Sequence, residues 1–380
     1  MRKASVAAFV LSVMPALFLQ AEYPTLTWVG GESGSVGVAA NWDPSDKGTP
    51  YEQNACYTLI TNSVTFSIAS KGDEYWRNVK LTVTNGSAVV FGARFHAAQD
   101  SILLPGCFSM LDVASGSSFK STYTLGGDTT HKKTFVKTGG GLLEAVSVGV
   151  SGHFKAVRLL GGVTKTGKLC ATNEVEIASG ASLVLTAKNA VDTNECCAAI
   201  NVNGLLDCDS HEMIIDGLCG TGTVKNAASA NGTGLTLLLR AQKQEVFSGQ
   251  FNGVLTVAPH PSAPADSCLV IGSAYSLTNA DLIVHSTDAI ANPVKFAPGI
   301  GTFYVRSLPY GRTFYDTEGN VVTLKKWWGR HLYVDGSVSE SGDGLSRATA
   351  YKTIKEALES ENLTAPAEWN LVHVASGTYS

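Results

Sequence analysis

Four cysteines fall close to acids and a histidine: Cys196, Cys197, Cys208 and Cys219 beside Asp207, Asp209, His211 and Glu212. Thiolate, imidazole and carboxylate are the donors of a zinc site. The spacing argues against one. No short Cys-x-x-Cys pair is present, and adjacent Cys196 and Cys197 on a strand point to opposite faces. Asp316, Glu318 and Asn320 have the rhythm of a calcium loop, but Trp327 stands where the bidentate Glu belongs, so they read as a hairpin turn. Asp343, between Gly342 and Gly344, reads as a turn residue, with calcium as the alternative. No Ser–His–Asp order, nucleophile elbow or phosphate loop is visible. A carboxylate pair for sugar chemistry stays open, because such pairs come from distant rungs. No catalytic, cofactor-binding or metal-binding residue is assigned, and no cofactor.

The elements that would have to position any chemistry are short strands. Val175 to Val257 reads as stacked β-rungs. Val175-Glu176-Ile177 alternates, Ala178-Ser179-Gly180-Ala181 turns, and Ser182-Leu183-Val184-Leu185 alternates again. Ala199 to Leu206 repeats this around Asn203-Gly204. Met213 to Ile215, Leu218 to Val224, Leu235 to Leu239 and Gly253 to Val257 follow. A period of two places one row of side chains inside and the other outside. One rung cannot bury its inner row alone, so rungs must stack. Ile215-Asp216-Gly217-Leu218-Cys219-Gly220-Thr221-Gly222-Thr223-Val224-Lys225 and Phe247-Ser248-Gly249-Gln250-Phe251-Asn252-Gly253-Val254-Leu255-Thr256-Val257 resemble the loose repeats of bacterial surface and autotransporter passenger proteins. Phe135 to Leu143 is a weaker copy. That resemblance implies architecture more than activity.

Composition agrees with rungs. The 380-residue chain has a net charge of −4, 39 glycines and 16% charged residues, against ~25% in ordinary soluble domains. No basic run or aromatic-studded basic patch suggests nucleic acid. Met1 to Ala21 reads as a secretory signal: Arg2 and Lys3, then an apolar run from Ala4 to Leu19, then Gln20-Ala21. An uncleaved anchor is the alternative. No later stretch is long and apolar enough to cross a membrane, so the mature chain is expected outside the cytoplasm. The eight cysteines, at 56, 107, 170, 196, 197, 208, 219 and 268, permit disulfides, with Cys196 to Cys219 the favoured region. Thiols buried inside the rungs are the alternative.

The expected fold is all-β, a β-solenoid with parallel β-helix-like rungs, an N-terminal cap and a short capping helix near the C-terminus. A pair of β-sandwiches is the rival. Residues 22–62 read as the cap. There Trp28 and Trp42 lie in a "Trp-x-Gly … Asn-Trp" phrase resembling the opening of many secreted bacterial β-solenoids. Their apolar area would cover the end of the first rung; a sugar-binding platform is the alternative. Residues 63–290 read as an irregular solenoid, and 291–330 as a β-hairpin connector around Glu318-Gly319-Asn320.

Residues 331–380 carry the most specific pattern. Tyr333-Val334-Asp335, Gly342-Asp343-Gly344, Ala350-Tyr351-Lys352-Thr353-Ile354-Lys355-Glu356-Ala357-Leu358 and Val372-His373-Val374 to Tyr379 follow in order. This resembles the opening of right-handed parallel β-helix proteins related to pectate lyases. Tyr351, Ile354 and Leu358 are placed on one helical face, over a first rung into which Val372 and Val374 point. The resemblance implies a β-helix that starts here and continues past Ser380, and it carries over no catalytic residue.

Function is therefore expected to be that of a secreted or cell-surface β-solenoid, adhesive, structural or a spacer presenting a downstream β-helix. Polysaccharide or cell-surface glycans are the expected partners. The alternative is a carbohydrate-active enzyme, a polysaccharide lyase or glycosidase, with its catalytic β-helix beyond residue 380. Asn85, Asn231 and Asn362 are glycosylation acceptors in a host that uses them.

Overall fold

The structure is a computed structural model. It describes residues 25–34, 38–48, 56–60, 64–66, 74–75, 78–84, 86–91, 95–96, 109–126, 134–149, 154–191, 199–227, 234–240, 244–299, 301–307, 311–327, 331–360 and 371–377. The signal segment 1–21, Cys107, Cys196, Cys197 and the three Asn acceptors lie outside them.

The protein is a β-solenoid. One sheet stacks Thr25–Trp28, Cys56–Ile60, Asn78–Val83, Ser109–Val113, Thr134–Thr138, Phe154–Leu159, Ala171–Ile177, Ala199–Val202 and Leu218–Cys219 in parallel and in chain order. Gln244–Phe247, Cys268–Ile271 and Val294–Phe296 continue that direction, joined through a Gly220–Phe247 bridge. A second sheet stacks the alternate strands, from Val64–Phe66 through Leu142–Val148, Gly162–Thr166, Ala181–Leu185, Leu205–Asp207 and Thr223–Ala227 to Val321–Lys326. A third face is made by Met213–Ile215, Leu235–Leu239 and the second half of Gln250–Pro259. The first half of that long strand pairs with Thr223–Ala227, so one strand turns the corner between two faces. Parallel pairing throughout these stacks rules out the sandwich rival, whose sheets are antiparallel.

Register keeps like over like. Val157, Val175, Ile200 and Leu218 are successive partners, and each is fully buried. On the second sheet Leu183, Leu206, Val224 and Phe251 do the same. Burying such a side chain contributes roughly 1.5–3 kcal/mol, and only the neighbouring rung supplies the cover. At the start of the stack Trp28 and Trp42 are antiparallel partners, their rings edge to face at 5.1 Å. Each is 1% exposed. The rings pack inside, so the sugar-platform alternative fails at these two residues.

The hairpin expected around Glu318-Gly319-Asn320 is present, with Phe314–Tyr315 antiparallel to Val321-Val322. The same stretch also stacks on the solenoid: Thr302–Ser307 runs parallel to both Leu277–Val284 and Val321–Lys326. Near the C-terminus His331–Val334 pairs in parallel with Leu371–Val374. The helix Ile354–Glu359 between them is started by a reciprocal cap: Thr353 Oγ1 accepts from the Glu356 N–H, and the Glu356 carboxylate accepts from the Thr353 N–H.

Its buried face is not the one the spacing suggested. Ala357 is fully buried, whereas Ile354 is 37% and Leu358 60% exposed. The cap fixes the rotation of this six-residue helix and turns Ala357, small enough for close approach, onto the strand at His331–Val334. Val374 is likewise exposed rather than inward.

Corners are narrow. An ideal Cβ on Gly222 would stand 2.1 Å from the Gly204 carbonyl oxygen one rung before, and a Cβ on Gly249 would stand 1.9 Å from that of Gly222. Gly180 also turns a corner, with φ of 83°, but its Cβ would meet nothing within 4 Å. Gly222→Ala is therefore expected to cost several kcal/mol, about the scale of a forced backbone shift in a packed core. Gly180→Ala should cost only about 1 kcal/mol, the left-handed penalty. Urea melts of the two variants check this; equal losses would contradict the close-approach account.

Candidate functional site

Of the residues weighed as metal ligands, the described acids Asp207 and Glu212 are taken up by other partners. Asp207 Oδ1 accepts the Asp209 N–H at 2.9 Å, and its other oxygen pairs with Lys225 Nζ at 3.4 Å. Glu212 pairs with Lys188 instead. Cys208 is buried, and burial together with neighbouring Asp207 pushes its thiol up to about 12. Burial and the charges of Glu245 and Glu174 push Cys219 up to about 11. Neither is a thiolate at neutral pH, so neither is a ready nucleophile or ligand. Among the described residues no three His, Cys, Asp or Glu side chains gather to hold a metal. Cys170, Cys208, Cys219 and Cys268 are thiols.

The two acidic turns are turns. Asp316 Oδ1 accepts from the Glu318 and Asn320 N–H groups, and Oδ2 accepts from Asn320 Nδ2. These bonds hold its carboxyl below the usual carboxylate range. Asp343 Oδ1 accepts from the Leu345 N–H and from Thr349 Oγ1, with the same effect. Their oxygens are engaged in shaping the loop.

Two charged features inside the solenoid were not singled out by the sequence reading. Lys137 sits in an inward row, with Leu111 and Leu159 as its neighbours on adjacent rungs, and is fully buried. Its Nζ donates to the carbonyls of Gly139, Gly141 and Gly161 at 2.8, 2.7 and 2.7 Å. Three donors meet three acceptors, so the ammonium closes the glycine corner from within. Burial pushes its pKa from 10.5 down to about 8, opposed by the charge of Asp112, and it stays protonated at pH 7. The signal was there: Phe135 is inward, so Lys137 two residues on is inward too.

Glu245 is the second case, placed inward by the same rule from Phe247. It accepts the Leu218 N–H, and Gly217 allows the approach because a Cβ there would lie 2.3 Å from its carboxylate. Asp216 lies beside it, 3.5 Å from Arg240 Nε, with neither carboxylate oxygen hydrogen-bonded. Asp216 and Glu245 are 3% and 4% exposed. Burial raises Glu245 from 4.5 to about 7, with the Asp216 charge adding to it. Burial raises Asp216 from 3.8 to about 6, against the pull of Arg240.

Outside the rungs, Tyr275, Tyr304 and Trp327 meet on neighbouring turns. The tyrosine rings are parallel, 5.5 Å apart at 5°. Trp327 stands nearly perpendicular to both, at 6.3 and 5.5 Å. A separate cavity of about 400 Å3 lies among Tyr333, Asp335, Arg347 and His373.

No family model, curated protein or solved structure matches the chain. Among the described residues no helix is long and apolar enough to cross a membrane. The functional reading therefore rests on the chain's own geometry.

The buried acids make a pH prediction. Both carboxyls hold protons more tightly in the fold than in the unfolded chain. The fold thus binds more protons, and stability falls as pH rises from about 4 through about 7. Glu245→Gln removes about half of that dependence, leaving the part due to Asp216, and should raise stability at pH 8 by on the order of 3 kcal/mol, at about 1.4 kcal/mol per tenfold change in proton affinity. Urea melts at pH 5 and pH 8 measure it; a variant as pH-dependent as the parent would contradict the assignment.

Proposed function

We propose that the protein is an exported, surface-displayed β-solenoid with an adhesive or structural role, binding polysaccharide or cell-surface glycans through its outer faces. The observation that carries this is the filled interior. Along the described stack the inward rows are mostly apolar with a few buried hydroxyls such as Thr164 and Thr166, and the inward charges of Lys137 and Glu245 are engaged with the backbone, while Asp216 lies near Arg240. A ligand must therefore be met outside. The outer rows are suited to display: Lys120 pairs with Glu144 at 2.6 Å, and Arg158 lies near Glu174 and Glu176 on the next rung. Each such exposed pair is worth little. Together they oppose a slip that would stack like charges.

A specific feature favours a second reading, a carbohydrate-active β-helix entered at Tyr333. The parallel pair His331–Val334 and Leu371–Val374, with the capped helix between, borders the cavity holding Arg347 and His373. One experiment separates the two. The full chain is labelled and applied to whole cells and to arrays of neutral and acidic polysaccharides, with and without calcium, and the same polysaccharides are scored for cleavage. Binding without cleavage is the expected result. Cleavage would favour the enzyme, and neither binding nor cleavage would leave a spacer.

A further inference from the structure

We propose that Tyr275, Tyr304 and Trp327 form a binding site for a neutral polysaccharide chain. This rests on the reading of the solenoid as a glycan-binding surface element and names the place where it binds.

The three rings come from three turns of chain and are brought together by register. Tyr275 sits in the turn before Leu277–Val284. Tyr304 lies in Thr302–Ser307, and Trp327 directly follows Val321–Lys326. Each is anchored through its backbone. Ser276 N–H donates to Ser273 O and Thr278 Oγ1 to Tyr275 O, fixing the Tyr275 turn. Tyr304 N–H donates to Ala274 O on the preceding turn, and Trp327 N–H to Val305 O. With the backbone so fixed, the contacts of the rings with one another hold them in place before any ligand arrives, which lowers the ordering cost of binding.

Inward packing does not account for them. Tyr275 is 49% exposed, and Tyr304 and Trp327 are only half-buried. The two tyrosines cover each other on the faces they stack, and the aromatic surface left to solvent lies chiefly on Tyr275. A pyranose ring has flat C–H faces of slightly positive character and a rim of hydroxyls. The negative π-face of an aromatic ring takes the former.

The latter need donors and acceptors, and the same outer face supplies them. Arg306, two residues from Tyr304 on its strand, donates from Nε and Nη2 to the two carboxylate oxygens of Asp281, at 2.9 and 2.6 Å. The side chains of Arg306 and Asp281 are 47% and 37% exposed. That fork is internally neutral, with further N–H groups and oxygen lone pairs on its outer side. The pattern fits hydroxyls rather than a ligand's carboxylates.

The test is affinity electrophoresis of the full chain in gels containing hydroxyethyl cellulose, xylan or polygalacturonate, with melting curves run beside it. The chain is expected to be retarded by a neutral polysaccharide, insensitively to salt. Tyr275→Ala should weaken that retardation about tenfold, the loss of one stacked ring, while the chain stays folded with only a small drop in melting temperature from the lost Tyr304 and Trp327 contacts. Trp327→Ala should weaken it further; should Trp327→Ala fail to fold, Tyr275→Ala decides. Equal retardation of parent and Tyr275→Ala overturns the site while leaving a glycan-binding solenoid standing. Salt-sensitive retardation by polygalacturonate alone overturns the neutral ligand. No retardation in any gel overturns the inference, and adherence to whole cells then judges the surface role by itself.

Discussion

A single turn of this chain cannot bury its own inner row; the next turn, in register, must do it. That constraint organises the rest. It explains why Val175 faces Val157 on one side and Ile200 on the other. It explains why corners bring carbonyls so close that Gly204, Gly222 and Gly249 cannot carry a Cβ. It also explains the ammonium of Lys137. An inward lysine is tolerated because three corner carbonyls surround its nitrogen. Without them it would be an uncompensated buried charge.

The same constraint decides where function can reside. A stack filled by its own side chains meets partners on its outside, and chemistry inside it is structural. Asp216 and Glu245 show the cost of an exception: two buried acids, one of them near the Arg240 guanidinium, each holding its proton to higher pH than in the unfolded chain. Outside, register gathers residues that sequence scatters, as it does for Tyr275, Tyr304 and Trp327.

Much of the fold was legible because period two and corner glycines are local signals. Val175 to Leu185 could be parsed by eye into strand, turn and strand. Lys137 and Glu245 were equally legible once Phe135 and Phe247 set the inward frame. The aromatic group was not, because rung lengths vary and the pairing of Thr302–Ser307 with Leu277–Val284 is fixed only by tertiary packing. The helix face was misread for a related reason. Counting apolar residues selected Ile354 and Leu358, whereas the Thr353–Glu356 cap and close approach to the strand select Ala357. Trp28 and Trp42 gave the same sequence signal for packing and for sugar binding, and only their burial separates the two.

The most direct test of in-register stacking is a set of distances along one outer row. Lys120, Glu144, Lys165, Val184, Asp207 and Lys225 are successive partners on adjacent rungs. Spin labels carried on unnatural amino acids leave the native thiols untouched. With one label at 120 and the other at 184, 207 or 225, pulsed dipolar spectroscopy should give separations rising by about 4.8 Å per rung, to about 24 Å at 225. Separations that fail to rise in equal steps would contradict the solenoid.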